Sequence, residues 1–414
     1  MNKIIAKTGI RKTWIAIVLI NIFLSDCRPP AKVYPTDVVF KTETISRKGF
    51  FGDNWCQTWA PDDNIYTMMD DGNGWWGSAT KLENLDDWEG SMCIRISGGP
   101  DFTALDVTKL SGWPVNEVTC PFYAYGTVSV DGVIYVWLWK SEGDRWYHRP
   151  EANRLLYSPD LGKTFYRWNG KQETAETFIE TDENSFFFYK EDPIWKNDRD
   201  AYAFNWIAFC QNGKDNSLAR DNYIYMYSPE QHNPRNLNMI RVDKEHILDK
   251  SKYEYFKGWN GEEPEWTFNM KERGANLQYP EKRSDGEWMW ASWFPCVVYN
   301  KGLDLYIMVS YGNSDAGKEF WDGWCSDCVF PASIGFWYAE HPWGPWTMFH
   351  YTEYFYIDRQ ENRNHAFKLS PKWISDDGRT MYLIWSDGGD DHTTNYKWNQ
   401  MEIEIVTAQP GNSE

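Results

Sequence analysis

Helical periodicity is scarce in this chain, short alternating apolar runs broken by Asp, Asn and Gly dominate, and one such pattern recurs five times. Together these features predict an all-β fold, a five-bladed β-propeller. In each copy an apolar run ends in an Asp/Asn/Gly turn and an apolar-Tyr-apolar strand follows. The copies are WCQTWAPDDNIYTMMDDG (55–72), FYAYGTVSVDGVIYVWLWK (122–140), WIAFCQNGKDNSLARDNYIYMYS (206–228), FPCVVYNKGLDLYIMVSYG (294–312) and KLSPKWISDDGRTMYLIWSDGG (368–389). Their tyrosines, Tyr66, Tyr135, Tyr225, Tyr306 and Tyr382, stand 69, 90, 81 and 76 residues apart. Each interval has room for two further strands and their loops, which makes a four-stranded unit repeated radially. The rival architecture, ordinary hairpins in a large sandwich, does not call for five comparable intervals.

The elements before and after the repeats divide the chain. Residues 1–27 read as a targeting segment. Lys3, Lys7, Arg11 and Lys12 form a basic start, and WIAIVLINIFL is an apolar run too short for a comfortable transmembrane helix. The LSDC that ends it resembles a bacterial lipoprotein cleavage site, with Cys27 as the residue to be lipidated; Asp26 departs from the small residue such a site prefers. Residues 28–37 then read as a linker, 38–408 as a single propeller domain and 409–414 as a tail. The expected location is outside the cytoplasm: cell surface, periplasm or secreted. A membrane is expected to be met only through an N-terminal lipid.

The net charge of −18 makes nucleic acid and anionic membranes poor partners. The 26 tryptophans exceed what a core ordinarily takes, because a buried indole N–H needs a partner. Half-exposed indoles stack well on sugar rings, so the expected partner is a polysaccharide or oligosaccharide. Eight cysteines include Cys27. Cys325 and Cys328 read as a loop staple or two free thiols rather than zinc ligands, since no second CxxC accompanies them.

Within the second interval lies YSPDLGKTFYRW (157–168). Ser158, Asp160, Gly162, Thr164 and Phe165 fit the Asp-box of sialidase-like propellers. Its chemistry is that of a turn: Ser158 and Asp160 bond local backbone and Gly162 supplies a positive φ. Asp160 is therefore expected to be structural. IGFWYAEHPWGPWTMFHY (334–351) takes the equivalent place in blade four.

Three longer stretches resemble a known family. GDNWCQTWAPDDNIYTMMDDGNG, GKDNSLARDNYIYMYS with RVDKEHILDKSKYEYF, and IGFWYAEHPWGPWTMFHYTE are similar to segments of the domain-of-unknown-function 4185 family, over about Val38 to Val406. The resemblance implies a five-bladed propeller of the glycoside hydrolase kind, and some members of that family are endo-D-arabinanases. It implies no particular substrate.

In such blades the starts of first strands and the ends of second strands share one mouth of the central channel, a favoured place for ligands. First-strand starts offer Asp53, Asn54, Asn116, Glu117, Asn205, Trp290, Ser292, Asn364 and His365. Second-strand ends offer Asp70, Asp71, Trp139, Lys140, Ser228, Glu230, Tyr311 and Asp387. The loop GGDDHTTNYKWN adds Asp390, Asp391 and His392. Glycoside hydrolysis needs two carboxyl groups, one to protonate the leaving oxygen and one to attack or activate water. Asp53 and Asp71 are the first pair, with Asp387 or Glu117 as the partner across the channel. Asn54, Trp55, Asp70, Lys140, Asn205, Trp290, Ser292, His365 and His392 are the expected substrate-binding set, with Trp55 and Trp290 readable equally as core. Turn residues Asp62, Asp63, Asp131, Asp376 and Asp377 fall on the opposite face and are excluded, and Asp215 and Asp221 are set aside with them. No cofactor is expected. Calcium is the one metal that Asp387, Asp390 and Asp391 would suit, but their spacing is not that of an EF-hand.

The leading expectation is thus an exported glycoside hydrolase acting on a polysaccharide, of arabinan type or another furanose-containing glycan. A carbohydrate-binding propeller without catalysis is the second. A polysaccharide lyase, with Lys140 and His365 on the rim, is the third.

Overall fold

The computed structural model describes residues 32–49, 52–76, 89–114, 122–141, 150–189, 204, 206–229, 236–280, 295–312, 333–353, 355, 357, 363–388 and 396–408. Within Val33–Glu414 the described residues are nearly all β, with one four-residue α-helix, Ala175–Phe178. In chain order the first strands are β1 Tyr34–Phe40, β2 Ser46–Lys48, β3 Asp53–Trp59, β4 Ile65–Gly72, β5 Glu89–Ile96 and β6 Val107–Lys109. Next come β7 Phe122–Val130, β8 Val133–Ser141, β9 Pro150–Ser158, β10 Tyr166–Arg167 and β11 Phe188–Tyr189. Then follow β12 Ala208–Gln211, β13 Tyr223–Pro229, β14 Asn236–Asp243, β15 Glu254–Asn260, β16 Glu263–Thr267 and β17 Leu277–Gln278. The last are β18 Cys296–Asn300, β19 Leu305–Gly312, β20 Ser333–Ala339, β21 Thr347–Thr352, β22 Arg363–Ile374, β23 Thr380–Gly388 and β24 Trp398–Ala408.

The strands form antiparallel meanders in sequence order. One sheet runs β3-β4-β5-β6 and a second β10-β9-β8-β7, with β11 also on β9. A ten-stranded sheet consists of two meanders, β12 to β16 and β18 to β21, joined where β12 and β18 pair in parallel, with β17 added on β14. The last sheet, β22-β23-β24-β1, is completed by the N-terminal strand, which runs from Tyr34 opposite Ala408 to Phe40 opposite Ile403 with a bulge between Pro35 and Asp37. The first strand therefore begins at Tyr34, inside the stretch read as a 28–37 linker. Its apolar-polar alternation is broken by Pro35, so the sequence hides a strand that pairing with β24 creates.

The cores lie between successive sheets. Met68 and Leu138 share one cluster, Val128 and Met226 the next, Tyr227 and Met308 the third. Val309 and Leu383 share the fourth, and Ile65 and Trp398 the fifth, so the last sheet packs on the first. The opening strands of the meanders touch in the same order: β3 lies against β7 and β22, β7 against β12, and β18 against β22.

The recurrent tyrosines all fall on second strands, and two show why the pattern repeats. Tyr66 and Tyr225 are buried, and each phenol donates to the Asp four residues earlier, Asp62 at 2.9 Å and Asp221 at 2.6 Å. The acidic residue of the turn thus satisfies the buried hydroxyl of the strand it introduces. Asp160 is also structural. It accepts from Ser158 Oγ at 2.9 Å, Lys163 N at 3.1 Å, Thr164 N at 2.9 Å and Thr164 Oγ1 at 2.7 Å. Burial raises the pKa of this carboxyl, but those hydrogen bonds outweigh it and hold the group below the usual carboxylate range.

Candidate active site

β3 enters its sheet through a distortion that presents Asp53. Gly52 has φ 152°, and a Cβ there would lie 2.6 Å from Met69 Sδ, so only glycine fits. Two residues on, Asn54 has φ 53°, and the β3–β4 register slips between Asp53 and Cys56. Such a bulge re-aims the side chain beside it. Asp53 pairs in register with Asp70 on β4 and stays half-buried, whereas Asp70 is buried.

The two carboxylates have different jobs. Asp70 accepts the Ala124 N–H at 2.8 and 3.0 Å and the Asn54 amide at 3.1 Å. Asn54 also donates to Ala124 O. Asp70 and Asn54, expected to bind substrate, therefore bridge β4 to β7 through backbone that water cannot reach. Asp387, expected in catalysis, is likewise buried, and its Oδ1 accepts from Trp385 Nε1 at 2.7 Å and from the Asn364 amide. Asn364 Oδ1 in turn accepts the Ile357 N–H at 3.2 Å. The carboxylate orients that chain of groups.

Trp55 is a correction. It is fully buried, its indole N–H donates to Ser386 Oγ at 2.9 Å, and it packs edge-on to Trp398 at 5.4 Å. It presents no face to a sugar and belongs to the core. Lys140 is buried and forms an ion pair with Glu151 on β9. Its charge is offset within the protein, which removes it as the cation that a lyase would hold against a uronate. The sequence reading missed Glu151 because its strand follows a third turn, outside the two-strand repeat.

Around Asp53 the surroundings are aromatic. Burial pushes the Tyr311 phenol well above its usual pKa; a hydrogen bond from the Ala366 backbone opposes this, and the nearby Asp53 charge adds to it. Tyr311 meets Phe367 edge-on at 5.7 Å. Trp139 lies 5.5 Å from Tyr123, 6.0 Å from Tyr125 and 5.7 Å from Trp206, ring to ring. The Trp139 indole N–H has no hydrogen-bond partner among the described residues. Phe204 and Ala366, beside the starts of β12 and β22, take φ 59° and 56° without glycine or a polar side chain to ease it. Left-handed backbone at such residues costs about 1–2 kcal/mol each and gathers where function positions it.

Asn116, Glu117, Asn205, Glu230, Trp290, Ser292, Asp390, Asp391 and His392 lie outside the described residues, as do Cys27, Cys325 and Cys328. Nothing is placed for the side chains of Asp71 and His365. Among the described residues no group of three or more His, Cys, Asp or Glu side chains is set to hold a metal ion. Cys56, Cys93, Cys210 and Cys296 are free thiols, and burial pushes Cys56 up to about 12, so it is no nucleophile.

No family model matches the chain, and none of the curated proteins matches it. The resemblance to the 4185 family rests on the quoted segments alone. Among solved structures, a putative hydrolase from Bacteroides ovatus aligns at 13% identity over 86% of this chain and 87% of that one, with a TM-score of 0.48. The catalytic domain of a Coprinopsis cinerea GH62 α-L-arabinofuranosidase aligns at 9% identity over 91% and 98%, TM-score 0.46. A family 117 glycoside hydrolase from Zobellia galactanivorans aligns at 8% over 90% and 92%, TM-score 0.47. At such values the chemistry has to be argued from this chain's own side chains.

Proposed function

We propose that the chain is a five-bladed propeller whose first-strand mouth carries a glycoside hydrolase site, with Asp53 as one of its two working carboxylates. One observation carries the reading: of the acids described there, Asp70 and Asp387 are buried under N–H donors and Glu151 is paired with Lys140, while Asp53 keeps solvent exposure beside them. The five cores shared in cyclic order support the blade count. Asp71, next along β4, is the first candidate for the second carboxylate. A carboxyl separation of about 5–5.5 Å would mean retention, and about 6.5–9.5 Å inversion. Buried Asp70 and Asp387 hold the strands that frame Asp53, and the buried aromatic side chains around Tyr311 and Trp139 give those strands a packed support. The net charge of −18 favours a neutral polysaccharide, with arabinan and related furanose-containing glycans first, at an extracytoplasmic location.

The test is a screen of the purified protein against a polysaccharide panel, with products read by mass. Saturated oligosaccharides that carry one added water are the expected result. Unsaturated products would make the protein a lyase. Glycan binding without any product would make it a binding module.

A further inference from the structure

The turn beyond β4 exposes a tryptophan that the site described so far does not use. Trp76 leaves 44% of its surface in solvent, while Trp55, Phe102 and Trp398 in the same aromatic group are in the core and Trp75 is partly buried against them. The chain reverses there: Trp76 N–H donates to Asn73 O at 3.1 Å, and Gly74 has φ 59°. Behind the exposed ring stands Trp75, edge-on at 6.3 Å and 65°. Trp75 rests in turn on Trp55 at 5.7 Å, Phe102 at 6.2 Å and Trp398 at 6.4 Å. The exposed indole is thus backed by a packed stack, not by a mobile side chain.

Its position is tied to Asp53. Met69 Sδ lies 2.6 Å from where a Cβ of Gly52 would be and 3.2 Å from that of Gly74, and Trp76 Cζ3 lies 3.4 Å from the latter. Gly52 immediately precedes Asp53, so the chain leading into Asp53 and the turn carrying Trp76 pack on the same methionine. Beside them Asn73 is only 4% exposed, and its Oδ1 has no hydrogen-bond partner among the described residues. A buried amide oxygen without a donor is costly, and a ligand hydroxyl would satisfy it.

We infer that Trp76 and Asn73 form a sugar subsite in the turn that follows β4, in which the indole stacks on the apolar face of a neutral sugar ring and Asn73 Oδ1 accepts a ring hydroxyl. This rests on the hydrolase reading for its position in the substrate path, but binding is testable without cleavage. In Asp53→Asn protein, linear arabino- and xylo-oligosaccharides are titrated against tryptophan fluorescence and by calorimetry. Trp76→Ala is expected to weaken binding roughly tenfold and to abolish most of the fluorescence change. Trp76→Phe, which keeps a ring, is expected to lose less, and Tm should hold in both because the side chain is exposed. Equal affinity with and without Trp76 would overturn the subsite and leave the hydrolase reading standing. Tight, Trp76-dependent binding with no product from the unsubstituted chain would uphold the subsite and overturn the hydrolase reading. No binding of any probe by the unsubstituted chain would overturn the subsite, and absence of product from the whole panel would remove the hydrolase reading as well.

Discussion

The two ends of the opening strands are both rich in acids and left-handed backbone, yet they spend them differently. At the turn end Asp215, Asp63 and Asp377 each hold a turn or a neighbouring sheet. Asp215 accepts Ser129 Oγ at 2.6 Å and the Gly132 N–H at 3.0 Å, clamping the loop after β12 to the β7–β8 turn. Asp63 takes the Trp59 indole at 2.9 Å and pairs with Lys214 and Lys372, from two other meanders. Asp377 caps its turn through Ser375 Oγ at 2.6 Å and Arg379 N at 3.0 Å. The residues with positive φ there, Asp63, Asp131, Asp215, Asn216 and Asp304, are types whose short polar side chains tolerate it. At the start end, Phe204 and Ala366 take the same conformation with no such help, and Asp53 keeps a face to solvent. One end is built to hold; the other holds with Asp70 and Asp387, and on the reading proposed above its half-buried Asp53 is the carboxylate that acts.

Substitutions can break that contrast. The largest effect on stability is expected from Asp70→Ala, which strips a buried charged acceptor from the Ala124 N–H and the Asn54 amide. It should cost about 3 kcal/mol in denaturant unfolding. A loss under about 1 kcal/mol would show that Asp70 is not a strut. Asp215→Ala, at a half-buried carboxylate, is expected to cost about 2 kcal/mol, with little change in any glycan cleavage. A fall in cleavage without a fall in stability would move the chemistry to the turn end. The smallest and sharpest comparison is at Asn54. Both Asn54→Ala and Asn54→Gly lose the amide bonds, but only Ala is strained at φ 53°, so the Ala variant should be about 1 kcal/mol less stable.

What the sequence disclosed follows from what is local. The alternating runs, the Asp-to-Tyr step four residues on and the turn around Asp160 are short-range, and each reads directly as a strand pair. Export and lipidation of Cys27 stay expectations, since residues 1–31 lie outside the described set. The mouth was legible as a list of strand ends, because strand direction alone assigns them. Which of its acids are buried was not. Asp70 is occupied by a backbone N–H 54 residues away, and Trp55 is hidden by Ser386, 331 residues away. No pattern within one strand reveals either partner. Trp76 was passed over for the opposite reason. It sits past the end of the repeat, where GWW in a loop leaves one of two adjacent indoles to face outward, and only the packing of Trp75 decides which.

The most direct measurement sets Asp53→Asn beside Asp70→Asn, with oligosaccharide release and Tm recorded for each. Loss of release by about 100-fold or more at Asp53 with Tm unchanged, against a lowered Tm at Asp70, is the predicted result. Undiminished release from Asp53→Asn would contradict it, because the more exposed member of the Asp53–Asp70 pair would then have no part in the reaction.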